Sequence, residues 1–125
     1  MFEKNFKVFI EKCVKEAQER LDLNFWRIEL EYVKEIKSYK SDEVITFEIE
    51  IDHMYMEATI SVSKLAQENY KAGKSEYVAR DVLHELVHII TEPLANYGKD
   101  QMPKGTHDQL LFLEENLTQR VTMLL

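Results

Sequence analysis

The length, composition and charge of the chain exclude several classes of protein. At 125 residues, the chain is predicted to form a single domain, 1–125, with a modest core. The formal net charge of -7 argues against a phosphate-binding surface, so no nucleic-acid partner is expected. No stretch approaches the roughly 20 apolar residues of a membrane helix. Charged residues occur throughout the N-terminal segment, whereas a secretory signal has an uninterrupted apolar core, so secretion is not expected. The single cysteine, Cys13, cannot form an intramolecular disulfide, and a cytoplasmic location is expected.

The first half of the chain changes from a helical to an extended pattern. Apolar residues three and four apart predict an amphipathic helix from Phe2 to about Leu21. Alternation of apolar and polar residues then predicts three strands, at 25–33 (FWRIELEYV), 44–51 (VITFEIEI) and 55–62 (YMEATISV). The short turn at 52–54 favours a hairpin between the last two strands, and the polar segment 34–42 is predicted to be a loop.

The second half of the chain is predicted to be mainly helical. A helix is expected from Ser75 to about Thr91, where Pro93 would end it, followed by a loop over 92–106. A last helix is expected from His107 to Leu124. This order predicts an α+β domain with a small three-stranded antiparallel sheet, an N-terminal helix, a central helix and a C-terminal helix.

The segment HELVH (84–88) carries the strongest chemical signal in the chain. His84 and His88 are four residues apart on a helix, so both imidazoles project from one face, as two neighbouring ligands of a tetrahedral zinc ion would. Glu85 is displaced around the helix and can reach water in the site as a general base. The surrounding residues are apolar, and two buried histidines without partners would cost about 1–3 kcal/mol each. The pattern therefore predicts a metal site.

A catalytic zinc ion needs a third protein ligand and an open position. The pattern HExxHxxGxxH is absent, because Glu92 stands where its third histidine would be. The downstream candidates are His107, Glu114 and Glu115, of which His107 is expected to cap or lie on the surface. Helix geometry favours Glu114, which shares a side of the last helix with Leu110 and Leu117. Tyr97 and His107 are the nearest candidates for a transition-state or substrate contact, and His53 is expected to face solvent.

The arrangement of HELVH and a glutamate on a later helix resembles the gluzincin class of metallopeptidases. More closely, the chain resembles the small phage- and prophage-encoded zinc metallopeptidases called minigluzincin-like, through the strand segments, VLHELVHIITEPL (82–94) and EENLTQRV (114–121). The resemblance implies a minimal zincin-like fold, His84 and His88 as zinc ligands, and Glu85 as general base. It also matches Glu115 to the family's glutamate ligand, so the choice between Glu114 and Glu115 stays open. Strand 55–62 is then expected to be the edge strand that holds a peptide by strand addition.

The sequence therefore predicts a zinc-dependent hydrolase, a metallopeptidase acting on a peptide or protein substrate. Two alternatives remain open. One is a non-catalytic binding or scaffold domain that zinc stabilises, which four protein ligands including His107 would favour. The other is a regulatory protease with one specific protein target, which the small size of the chain favours.

Overall fold

The described residues form four helices and two small sheets, so the predicted α+β class is confirmed. The structure is a computed structural model that describes the backbone of residues 1–39, 41–101 and 107–125 and the side chains of 1–39, 41–93 and 114–125. The elements, in chain order, are α1 (Lys4–Arg20), β1 (Arg27–Val33), β2 (Ile36–Lys37), β3 (Val44–Ile45), β4 (Phe47–Asp52), β5 (Glu57–Ser63), α2 (Lys64–Lys71), α3 (Ser75–Gln101) and α4 (His107–Leu124).

The three-stranded sheet is mixed, and the prediction of an antiparallel sheet is wrong. Its strand order is β1-β5-β4. The expected hairpin is present, because β4 runs antiparallel to β5 with Ile49 opposite Ile60. On its other side β5 pairs in parallel with β1, with Leu30 opposite Ile60. Alternation identifies a strand but carries no information about the direction of its neighbour, which is why the parallel pair was missed.

The strand predicted to lie at the edge of the sheet lies at its centre. Ala58, Ile60 and Val62 of β5 are at most 3% exposed, as expected for a strand with a neighbour on each side and helices over one face. Among the described residues, β1 and β4 are the edges of this sheet. Any peptide added to the sheet would therefore pair with β1 or β4 and not with β5.

A second, two-stranded sheet interrupts the segment predicted to be a loop. Ile36 and Lys37 in β2 pair antiparallel with Ile45 and Val44 in β3. The predicted strand 44–51 is thus divided at Thr46 between two sheets. The Thr46 hydroxyl donates a hydrogen bond to Asp81 Oδ2 of α3 at 3.1 Å, which ties the division point to the helix that carries HELVH.

One hydrophobic core lies between the helices and one face of the three-stranded sheet. The apolar stripe of α1 was predicted correctly, and Phe6 and Ile10 on it are fully buried. Cys13 is 7% exposed on the same stripe, and burial raises the pKa of its thiol to about 11. The buried cluster also contains Ala17, Trp26, Phe47, Ala58, Ile60, Val62, Ala66, Val78, Val82, Leu86, Val87 and Ile89.

Helix α3 continues past the point where it was predicted to end. Pro93 lies inside the helix, which extends to Gln101, so 92–101 is helical and not a loop. Proline removes one backbone donor, that to the carbonyl four residues earlier, and the helix accommodates this loss. Within the described ranges, no helix combines the length and the apolar character needed to span a membrane.

Candidate metal centre

The two histidines of HELVH line one face of α3. The opposite side of this helix segment is anchored in the core by Val82, Leu86 and Val87, each fully buried. The imidazoles of His84 and His88 are 16% and 13% exposed, and their centroids are 5.0 Å apart. Because apolar packing fixes the rotation of the helix, the two rings are presented together towards a cleft.

Glu115 of α4 bridges the two imidazoles. Its Oε1 accepts a hydrogen bond from His84 Nε2 at 2.6 Å, and its Oε2 lies 3.3 Å from His88 Nε2. The Glu115 side chain is 52% exposed, so it reaches these atoms from the solvent side of the cleft. Packing of α4 against α3 therefore brings together three groups that are 31 and 27 residues apart in the chain.

Glu114 lies on the other side of the His88 ring. Its Oε1 accepts a hydrogen bond from His88 Nδ1 at 2.8 Å, and its side chain is 10% exposed. Glu114 is thus the more buried of the two carboxylates, although Leu117, which was predicted to share its side of the helix, is 40% exposed. The position of Glu114 directs it to Nδ1, whereas Glu115 meets both Nε2 atoms. The two adjacent carboxylates consequently contact different nitrogens of the His88 ring.

The donor set fits a divalent cation. One ligand atom from each of His84, His88 and Glu115 lies within 4.8 Å of the others, so the group could hold a metal ion. Two ligand atoms on one tetrahedral zinc ion are separated by about 3.4 Å, given bond lengths of roughly 2.1 Å. The distance from Glu115 Oε2 to His88 Nε2, 3.3 Å, is close to this separation, and that from Glu115 Oε1 to His84 Nε2, 2.6 Å, is shorter than it. Within the described residues, the group offers three protein ligands.

The ionisation of the site is set by these contacts. Burial alone would lower the pKa of His88, but hydrogen bonds to Glu114 and Glu115 raise it to about 10. The pKa of His84 is also raised, because its hydrogen bond to Glu115 and the charge of Glu85 outweigh burial. The same hydrogen bonds to His84 and His88 lower the pKa of Glu115. Protons thus hold the imidazoles and the carboxylate together, and a cation must displace them to bind.

Glu85 lies in the cleft and has a raised pKa. It lines the cleft beside His84 and His88. Burial raises the pKa of its carboxyl to about 7, although the charges of His88 and His84 partly oppose this effect. A pKa near the working pH suits a group that must both accept and return a proton.

The cleft in front of the histidines is acidic. Its volume is about 520 Å³, and one wall is formed by residues 45–49, which include the start of β4. Glu48, Asp81 and Glu92 line it in addition to the groups already described. In the part of the chain that the structure describes, no lysine or arginine is among the lining residues, so the local field attracts a cation.

The remaining predicted site residues lie elsewhere or are not described. The side chains of Tyr97 and His107 fall outside the described residues, so their predicted contacts stay predictions. His53, which was expected to face solvent, is 33% exposed: its ring packs edge-on against Trp26 at 5.6 Å, and its Nε2 lies 3.3 Å from Glu92 Oε1. The position of His53 in a turn did not indicate this contact, because Trp26 lies far from it in the sequence. The indole of Trp26 provides an apolar surface on which the imidazole packs.

Two buried threonines beside the site were not anticipated. Thr91 Oγ1 donates a hydrogen bond to Glu114 Oε1 at 2.7 Å and lies 2.6 Å from Thr118 Oγ1. A helical spacing could have indicated them, because Thr91 is three residues after His88 and Thr118 is four residues after Glu114.

Comparisons of the chain with protein-family models, with curated proteins and with solved structures found no match. The resemblance to minigluzincin-like peptidases therefore remains a prediction from the residues themselves.

Proposed function

We propose that the protein is a zinc-dependent hydrolase, a metallopeptidase whose ion is held by His84, His88 and Glu115. The observation that carries this proposal is the convergence of one nitrogen from each of two imidazoles and one carboxylate oxygen, within 4.8 Å of one another, on a cleft that also contains Glu85. Two imidazoles and a carboxylate are a common ligand set of hydrolytic zinc sites, and three protein ligands leave a position open. A zinc ion bound there would lower the pKa of a coordinated water to about 7 and polarise a carbonyl oxygen.

Glu85 acts as the general base in this proposal. Its carboxylate removes a proton from the attacking water and passes it to the amine that leaves when the peptide bond breaks. The carboxyl therefore starts and ends the cycle in the same ionisation state. Asp81 lies one turn earlier on the same helix, and its Oδ2 accepts a hydrogen bond from the Thr46 hydroxyl.

The substrate is expected to lie along β4. This strand is an edge of the sheet among the described residues, and Phe47, Glu48 and Ile49 line the cleft that contains the histidines. An extended peptide can pair with the main chain of an exposed edge and thereby bring a carbonyl to a fixed depth in the cleft. The edge that borders the cleft is β4, so β4 takes the place predicted for strand 55–62.

Removal and return of the metal test this function. We expect the purified protein to cleave a mixed peptide library, to lose this activity after dialysis against a chelator, and to regain it with one equivalent of zinc. Products identified by mass spectrometry define the cleaved bonds. A protein that binds one zinc ion but cleaves no peptide or protein in the library would contradict the catalytic proposal and favour a zinc-stabilised binding domain.

A further inference from the structure

A pair of buried hydroxyl groups joins the two helices that carry the candidate ligands. Thr91 belongs to α3 and Thr118 to α4, and their side-chain oxygens are 2.6 Å apart. They are 3% and 0% exposed. Neither residue offers a ligand atom to the cleft, so their position requires a different explanation.

Both hydroxyl groups converge on one carboxylate oxygen. Glu114 Oε1 lies 2.7 Å from Thr91 Oγ1, 3.1 Å from Thr118 Oγ1 and 2.8 Å from His88 Nδ1. A hydroxyl has a single proton to donate, so the shortest contacts define one arrangement. Thr118 donates to Thr91, Thr91 donates to Glu114, and the N–H of His88 donates to the same oxygen.

This arrangement determines which nitrogen carries the proton when the His88 ring is neutral. With its Nδ1 proton held by Glu114, the neutral ring must present the lone pair of Nε2, which faces Glu115 across the cleft. A carboxylate oxygen held by these two donors cannot rotate away from the imidazole without losing hydrogen bonds in a buried environment.

The same contacts determine where α4 lies against α3. In the described end of α4, residues 114–124, the buried side chains are those of Thr118 and Thr122, while Leu117 is 40% exposed. The two buried hydroxyl side chains, together with the partly buried Val121, thus form the packed face at this end of the helix. Because Glu115 follows Glu114 directly, the register fixed by Glu114 also sets the position of the bridging carboxylate.

We propose that Thr91 and Thr118 are positioning residues that preorganise the metal centre through Glu114. This inference rests on the proposed zinc site and extends it to residues that touch neither ion nor substrate. Ligands held in place before the ion arrives do not have to be ordered by it, so the affinity for zinc rises. His84 has no equivalent support, since its buried Nδ1 has no hydrogen-bond partner among the described residues. We call the group formed by Thr91, Thr118 and Glu114 the clamp. The clamp therefore positions His88 and Glu115.

Zinc affinity, measured by competition with a chromophoric chelator, tests the clamp without any use of activity. Thr118→Val and Thr91→Val keep the size of the side chain but remove the hydroxyl, and each should weaken zinc binding about 10-fold or more. Thr118→Ser keeps the hydroxyl and should restore the affinity of the parent chain. Thr122→Val is the matched control, because Thr122 is equally buried but donates only to the Thr118 carbonyl, at 2.7 Å.

Two further readouts separate positioning from a general loss of stability. The visible spectrum of bound cobalt should change in Thr118→Val and stay like the parent in Thr122→Val, because it reports the coordination geometry. In a Glu114→Ala background, Thr118→Val should have little additional effect on zinc affinity if it acts through Glu114.

The clamp is overturned if Thr118→Val and Thr91→Val bind zinc as tightly as the parent, or if Thr122→Val weakens binding equally. That result leaves the zinc hydrolase proposal intact, provided the parent binds zinc. A parent chain that binds neither zinc nor cobalt overturns both the clamp and the proposed function.

Discussion

Replacing Glu85 by glutamine is expected to abolish most hydrolysis while zinc stays bound. The amide is nearly the size of the carboxyl, so the packing around residue 85 is retained, but it cannot accept the proton of the attacking water. General-base catalysis contributes about 10²–10⁴-fold, and we expect kcat to fall by a factor in that range. The measurement is kcat on one library peptide, with zinc content determined on the same sample.

The matched variant is His84→Ala, which should lose both zinc and activity. His84 Nε2 is one of the three convergent ligand atoms, so its removal disrupts the site itself. Glu85→Gln and His84→Ala thus fail for different reasons that the zinc content distinguishes. Hydrolysis by Glu85→Gln at the rate of the parent would show that another group serves as the base.

Glu115→Ala is expected to weaken zinc binding far more than Glu114→Gln. Glu115 faces the Nε2 atoms of His84 and His88, whereas Glu114 contacts Nδ1 of His88. Loss of a partner that orients a ligand costs about 10–100-fold in affinity, and loss of a direct ligand should exceed that range. Chelator competition provides both dissociation constants.

Glu92→Gln is the control for charge in this comparison. Glu92 lines the same cleft and lies beside His53, but it is not one of the convergent ligand groups. Its variant should bind zinc nearly as the parent does. If Glu114→Gln loses zinc and Glu115→Ala retains it, Glu114 is the zinc ligand and the assignment of Glu115 as the ligand is wrong.

The local features of the fold could be predicted from the sequence because each is encoded over a short window. The apolar stripe of α1 and the hairpin of β4 and β5 depend on periodicity within about ten residues, and both are present. The parallel pairing of β1 with β5 joins residues 30 apart in the chain, and no local pattern records the direction of such a neighbour. The continuation of α3 past Pro93 was not predicted either, because the local preference of proline for helix ends does not decide whether a particular helix continues.

For the candidate site, the sequence predicted which types of residue take part and that the two histidines lie on one face of a helix. HELVH indicated two imidazoles on one side of a helix, and the last helix indicated an acidic partner at 114 or 115. Which carboxylate meets which ring nitrogen depends on the packing of α4 against α3, so it could not be read from either helix alone. The spacings of Thr91 from His88 and of Thr118 from Glu114 are visible in the sequence, but the meeting of the two hydroxyl groups depends on the same helix packing.

Proton displacement predicts how zinc binding depends on pH. The pKa of His88 is raised to about 10 and that of His84 is also raised, so both imidazoles are protonated at acidic pH. Zinc requires their neutral forms, and binding must therefore release protons and strengthen as the pH rises.

The central claim is that the chain holds one zinc ion through His84, His88 and Glu115. Equilibrium dialysis of the parent chain and of His88→Ala against zinc, at pH 8 and pH 6, tests it most directly. We expect one ion per parent chain at pH 8, weaker binding at pH 6, and no stoichiometric binding by His88→Ala. Zinc content that is the same in the parent and in His88→Ala would contradict the account.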